Sequence, residues 1–182
     1  NIRNVFLDNI KASVVVSSYG HDEIEVLGSA EEVGTRFFND TRSARLEFEQ
    51  KRTGRLTGRL GLDWSTRDYR ADGEEVLAPQ TVHGSIAAFA YEELAFGSTR
   101  LQVGGRWERN SYAPEPREIE HDLDDAQPVR DRRFLGASGS FGIHQGLGAA
   151  TAVVANFSVA SRAPALEELY NYGPHGGNLA CE

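Results

Sequence analysis

The feature that most constrains the fold is a repeated alternation of apolar and polar residues. In the clearest segment, the apolar or glycine positions are Leu56, Gly58, Leu60, Leu62 and Trp64, and mostly charged or hydroxyl side chains lie between them. Successive side chains of a strand point to opposite faces, so a period of two predicts strands with one apolar and one polar face. The same pattern recurs at 44–49, 100–108, 135–144 and 151–159.

Composition excludes several classes of protein. The 182 residues carry 27 acidic and 19 basic side chains, a net charge of −8, so no basic face is available for nucleic acid. The single cysteine, Cys181, excludes an internal disulfide framework. No stretch approaches the roughly 18 consecutive apolar residues of a membrane helix. A membrane β-barrel remains compatible, because only every second residue of its strands faces lipid.

The connections between the predicted strands differ in length in a regular order. Tight turns are predicted at 51–54, 96–98 and 145–148, and they alternate with long polar connections near 20–33, 70–78, 112–132 and 161–177. Short and long connections therefore lie at opposite ends of one antiparallel sheet, as in outer-membrane barrels. The strands at 55–70 and 82–96 are also longer than those of most soluble sheets. We predict an all-β, up-and-down transmembrane β-barrel segment of about eight strands.

The segment 161–182 resembles the late-barrel signature of TonB-dependent receptors. In that family a strand ends in Ser-Arg-Ala-Pro, an extracellular turn carries Glu-Leu-Tyr, and Gly-Pro-His precedes the next strand. The segments 19–25, 73–79 with 89–93, and 101–109 are similar to the branch associated with uptake of zinc and related metals. The motif residues are Arg162, Ala163, Pro164, Glu168, Leu169, Tyr170, Gly173, Pro174 and His175.

The resemblance implies both an architecture and a function. Such receptors are barrels of about 22 strands with a plugged lumen, so residues 1–182 are expected to be a partial barrel domain without the plug and the closing strands. The implied location is the bacterial outer membrane, and the implied partners are the TonB energy-transducing complex, outer-membrane lipid and a transported ligand. The expected ligand is a metal ion or metal chelate, with zinc favoured and siderophore, haem or cobalamin as alternatives.

Two acidic clusters with histidine are candidates for attracting that metal, because imidazole and carboxylate groups are suitable zinc ligands. The first is predicted where a strand gives way to a long loop, with His21 and Glu23 on one side of the strand. The plainer interpretation of both clusters is a solvated acidic surface. The clusters are His21, Asp22, Glu23 and Glu25, and, in the longest connection, His121 and Asp122 with the nearby Glu118, Glu120, Asp124 and Asp125.

No catalytic constellation or resident cofactor is expected. Ser138 and Ser140 lie inside a predicted strand and lack the nucleophile-elbow pattern. More distant alternatives are an outer-membrane barrel enzyme and a soluble β-sandwich binding module. A barrel instead predicts a charged lumen, for which the candidates are Arg55, Arg59, Arg100, Arg106, Glu108, His83 and His144.

Overall fold

The computed structural model describes residues 6–27, 30–73, 76, 78–115 and 129–170. In this part of the chain, seven antiparallel strands form one sheet in sequence order. No helix in the described part is long and apolar enough to cross a membrane. The elements are β1 (Leu7–Leu27), β2 (Ala30–Gln50), β3 (Leu56–Gly73), β4 (Thr81–Phe96), β5 (Thr99–Pro114), β6 (Arg132–Gly146), β7 (Ala152–Val159) and α1 (Leu166–Tyr170).

The all-β, up-and-down arrangement and the long strands are confirmed, since every strand pairs with its sequence neighbours and β1 and β2 each contain 21 residues. Seven strands are described where about eight were predicted. The next strand of the family pattern, which follows His175, lies outside the described residues.

The predicted long loop at 20–33 is wrong. β1 continues to Leu27, β2 begins at Ala30, and Ile24 pairs with Val33 inside the hairpin. A register shift follows Glu23, where β2 contains Gly34 as an extra residue. The hairpin has polar side chains on both faces, as expected where strands extend beyond a membrane and have water on both sides. It therefore lacks the alternation that marks a strand, and the polar residues suggested a loop.

The short connections are confirmed at one end of the sheet. Between β4 and β5 lie only Gly97 and Ser98, and Gly97 has a φ of 57°. A positive φ at the first central position only is the pattern of a type II′ hairpin turn, which matches the twist of the strands. Gly54, in the β2–β3 turn, also has a positive φ, of 63°, which glycine adopts without steric cost because it has no Cβ atom.

The sheet has one apolar face and one charged face, set by the unbroken pairing of β2 to β6. Side chains of the apolar face are exposed although they are large and hydrophobic. A soluble sandwich would cover such a face, so that alternative is not supported. The exposed apolar residues include Ile10, Val14, Leu60, Leu62, Trp64, Ile86, Val103, Trp107, Leu135, Phe141 and Phe157.

The apolar band has the height expected of a membrane-embedded surface. On β3 it runs from Leu56 to Trp64, about 26 Å at ~3.3 Å per residue, or about 20 Å along the membrane normal for a ~40° tilt. Trp64 and Trp107 mark one edge, and the next position of this face on β3 is Thr66. Aromatic residues at the border of an apolar band are typical of the membrane interface.

The largest buried cluster lies on the charged face, beyond the apolar band and far from the short turns. It joins Tyr69 of β3 and Tyr112 of β5 to Leu166 and Tyr170 of α1. The chain after β7 therefore returns across the sheet and covers the charged face at this end.

Candidate functional site

Charged side chains on neighbouring strands form a network on the charged face. Asp63 accepts hydrogen bonds from Arg106 and, at 3.3 Å, from Arg45, so one carboxylate joins β2 and β5 across two strands. Arg106 donates to Glu108 at 2.7 Å, and Asn110 donates to Glu108 at 2.7 Å. Paired charges of this kind make a polar wall without leaving isolated charges.

A shallow recess interrupts this network. Its volume is about 300 Å³, and its hydroxyl lining comes from Ser13, Ser43, Ser65 and Ser85. The guanidinium groups of Arg45 and Arg106 and the carboxylate of Asp63 border the same recess. Hydroxyl, guanidinium and carboxylate groups together offer hydrogen-bond donors and acceptors to a polar group that enters the recess.

The candidate charged-face residues lie where the sequence predicted, with one exception. Arg59, Arg100, Arg106 and Glu108 share that face, as do His83 and His144. Arg55 instead lies in the β2–β3 connection, where its guanidinium group is 5.4 Å from the centre of the Phe96 ring.

The segment that carries the family motif is held in its local conformation by contacts among its own residues. Arg162 donates two hydrogen bonds to Glu168, at 2.9 and 3.2 Å, in the paired geometry typical of strong arginine–carboxylate contacts. Glu168 also accepts from the backbone N–H of Ala165 at 2.8 Å, as a glutamate does in a capping box. The hydrogen bond from Arg162 and then that from Ala165 lower the pKa of Glu168.

Contacts from the wall fix the same segment from the other side. The Tyr112 hydroxyl donates to the carbonyl of Pro164 at 2.8 Å, and Arg67 forms an ion pair with Glu167 at 2.9 Å. The Tyr170 hydroxyl donates to the carbonyl of Arg130 at 3.0 Å, and burial raises its pKa. Leu166 is 2% exposed. The described part of the motif, up to Tyr170, therefore docks the segment after β7 onto the wall.

The first predicted metal cluster is divided between the two faces. His21 lies on the charged face and stacks on Phe37, with ring centres 4.7 Å apart. Glu23 and Glu25 follow on the same side of β1, as predicted for His21 and Glu23. Asp22 points to the opposite face and lies 3.6 Å from Arg36.

The other predicted site residues fall outside what the structure describes. These are His121 and Asp122 of the long connection and Gly173, Pro174 and His175 of the motif. In the described ranges no group of three or more His, Cys, Asp or Glu side chains is arranged to hold a metal ion. The metal ligands therefore stay predictions.

Comparison with known proteins decides the family. Residues 4–180 match the family described as TonB dependent receptor-like, beta-barrel. The chain belongs to this family. A comparison with curated proteins found no match.

Family membership identifies what each face of the sheet contacts. The apolar face of this TonB-dependent receptor barrel domain is the lipid face, and the charged face lines the lumen. The family consists of outer-membrane receptors and transporters rather than enzymes, and it works with TonB. By the pattern of such barrels, the strand ends joined by the β2–β3, β4–β5 and β6–β7 turns are periplasmic, and the opposite ends, near α1, are extracellular.

Sequence reasoning missed the partners that organise the lumen wall. Asp63, Arg45 and Arg67 were seen only as the polar half of an alternation. Arg45 and Asp63 pair directly across β2 and β3. The register of β2 and β3, in which Glu49 lies opposite Arg59, places them opposite each other. Counting outward from the turn at 51–55 would instead have placed Arg45 opposite Gly61, so the sequence alone did not give the pair.

Proposed function

We propose that the receptor containing this chain captures a metal ion or a metal chelate from outside the cell, and that zinc is its favoured ligand. The observation that carries the proposal is the position of His21, Glu23 and Glu25. All three follow one another on the lumen side of β1, beyond the apolar band at the extracellular end. Imidazole nitrogen and carboxylate oxygen are donor types suited to zinc, and the described wall by itself holds no complete group of ligands.

Charge supports the same ligand class. The chain carries a net charge of −8, and an acidic vestibule raises the local concentration of cations. We propose that the wall contributes part of the donor set and that His121 and Asp122 of the β5–β6 connection contribute the rest.

The alternation of β1 supplies a matched test within three consecutive residues. Cells that depend on the full-length receptor would be assayed for uptake of radioactive zinc with His21→Ala, Glu23→Gln and His121→Ala. The control is Asp22→Asn, which removes the negative charge of a neighbouring carboxylate on the opposite face. We expect zinc uptake to fall at least about tenfold for His21→Ala, since losing a ligand leaves an incomplete site, and to be unchanged for Asp22→Asn.

Surface level and folding of each variant would be measured in the same cells. If zinc uptake is unchanged in His21→Ala and His121→Ala, the proposed metal site is rejected, and a receptor for a chelate becomes the leading hypothesis. In that case, uptake of iron-loaded siderophore, haem and cobalamin by the same strains would identify the ligand class.

A further inference from the structure

Two arginines on the lipid face lie at the extracellular border of the apolar band. Arg109 of β5 pairs with Leu135 of β6, and Ser111 pairs with Arg133. Arg109 and Arg133 are therefore diagonal neighbours, at a spacing of roughly 7–8 Å with their Cβ atoms somewhat closer. Both side chains are exposed.

These two charges have no acidic partner in the part of the chain that the structure describes. No described carboxylate lies within ion-pair distance of either guanidinium group. Like charges on neighbouring strands repel each other unless an anion lies between them. Of the other arginines on this face, Arg36 and Arg70 are paired with Asp22 and Asp72, whereas Arg42, on β2 and three strands away from Arg109, has no ion pair among the described residues either.

Around Arg109 and Arg133, polar groups lie toward the extracellular side and apolar side chains lie toward the membrane. Ser111 lies opposite Arg133 and two residues beyond Arg109 on the same face, and it donates a hydrogen bond to the carbonyl of Gly84 at 3.3 Å. On the membrane side lie Leu135, 71% exposed, and Trp107, 47% exposed. The surface thus offers cations and a hydroxyl at the level of a lipid headgroup and apolar side chains at the level of its acyl chains.

We propose that Arg109 and Arg133 bind a phosphate group of an outer-leaflet glycolipid, whose acyl chains pack on Leu135 and Trp107. Two guanidinium groups can each present paired N–H donors to phosphate oxygens, which is the geometry that arginine favours. The proposal rests on membership of an outer-membrane family and on the lipid face. It is independent of the transported ligand.

The test uses the full-length receptor, purified in a neutral detergent, with bis-phosphorylated lipid A as the probe. Affinity would be measured for the wild type and for the Arg109→Gln/Arg133→Gln variant. The matched control is Arg36→Gln/Arg70→Gln, which removes two charges from the same face. Losing charge-assisted hydrogen bonds should weaken lipid A binding at least about tenfold in the first variant, and the control should change by less than about twofold.

Further arms distinguish the source of the phosphate. Dephosphorylated lipid A should bind at least about tenfold more weakly than lipid A, and millimolar inorganic phosphate should not displace lipid A. Equal loss in both double variants, equal affinity for dephosphorylated lipid A, or full displacement by inorganic phosphate would each overturn the proposal. If the Gln variant does not fold, Arg109→Lys/Arg133→Lys replaces it. It keeps both charges but not the paired donors, so its affinity should fall about threefold or more, and unchanged affinity would contradict the proposal.

Discussion

A single arginine placed on the lipid face tests the assignment of the two faces directly. Leu60 is the midpoint of the apolar run from Leu56 to Trp64 and is 46% exposed. It lies four residues from each end of that run, about 13 Å along the strand and about 10 Å along the membrane normal. This depth is near the bilayer midplane, where an arginine costs about 2–4 kcal/mol.

Leu60→Arg should therefore lower the folding equilibrium constant about 30- to 700-fold. The matched control is Ser140→Arg. Ser140 is exposed on the lumen side, next to Gly139, and Gly139 belongs to the same cross-strand row as Leu60. Urea titration of the full-length receptor in lipid vesicles, followed by tryptophan fluorescence, would measure both. Equal destabilisation by the two substitutions, or none by Leu60→Arg, would refute the assignment of the faces.

Three further predictions concern the docked segment and a turn. Leu166→Ala should weaken docking of α1 by about 2–3 kcal/mol, because it leaves a cavity among buried side chains, and hydrogen exchange at 165–170 should accelerate accordingly. The pKa of Glu168 is lowered from 4.5 by Arg162 and Ala165, so its contribution to docking is present above pH 4.5 and is lost as the pH falls through the lowered value. Exchange in the segment should rise in that acidic range in the wild type, and Glu168→Gln should remove this pH dependence. Gly97→Ala should destabilise the receptor by about 1–2 kcal/mol in urea unfolding, because φ is positive there.

The sheet could be predicted from the sequence because its physical cause is local. Alternation from Leu56 to Trp64 requires two unlike environments on the two sides of a strand, and that requirement is visible without any partner strand. The tight turns were predictable for a similar reason, since Gly54 and Gly97 supply the backbone angles that those turns need. Periodicity failed at 20–33, where water on both sides of the hairpin removes the contrast between the faces.

The docked segment could not be derived from the same signal. Arg162, Glu168 and Tyr170 were singled out only by resemblance to a family. Arg162 and Glu168 contact each other within the segment, but the segment is docked through hydrogen bonds from Tyr112 to the Pro164 carbonyl and from Tyr170 to the Arg130 carbonyl, whose partners are distant in the sequence. Such contacts leave no period in the sequence, so nothing in the residues themselves indicated that this stretch folds back over the lumen wall.

The unbroken pairing of β2 through β6 also bears on how a chain of this kind can change during evolution. Inserting one residue within Leu56–Trp64 would exchange lipid-facing and lumen-facing side chains over the rest of that strand. An insertion of two residues would keep each side chain on its original face but would shift the cross-strand partners beyond the insertion, including Arg45 and Asp63. Length variation among descendants should therefore be confined to the connections and to places such as Gly34, where one extra residue is already accommodated.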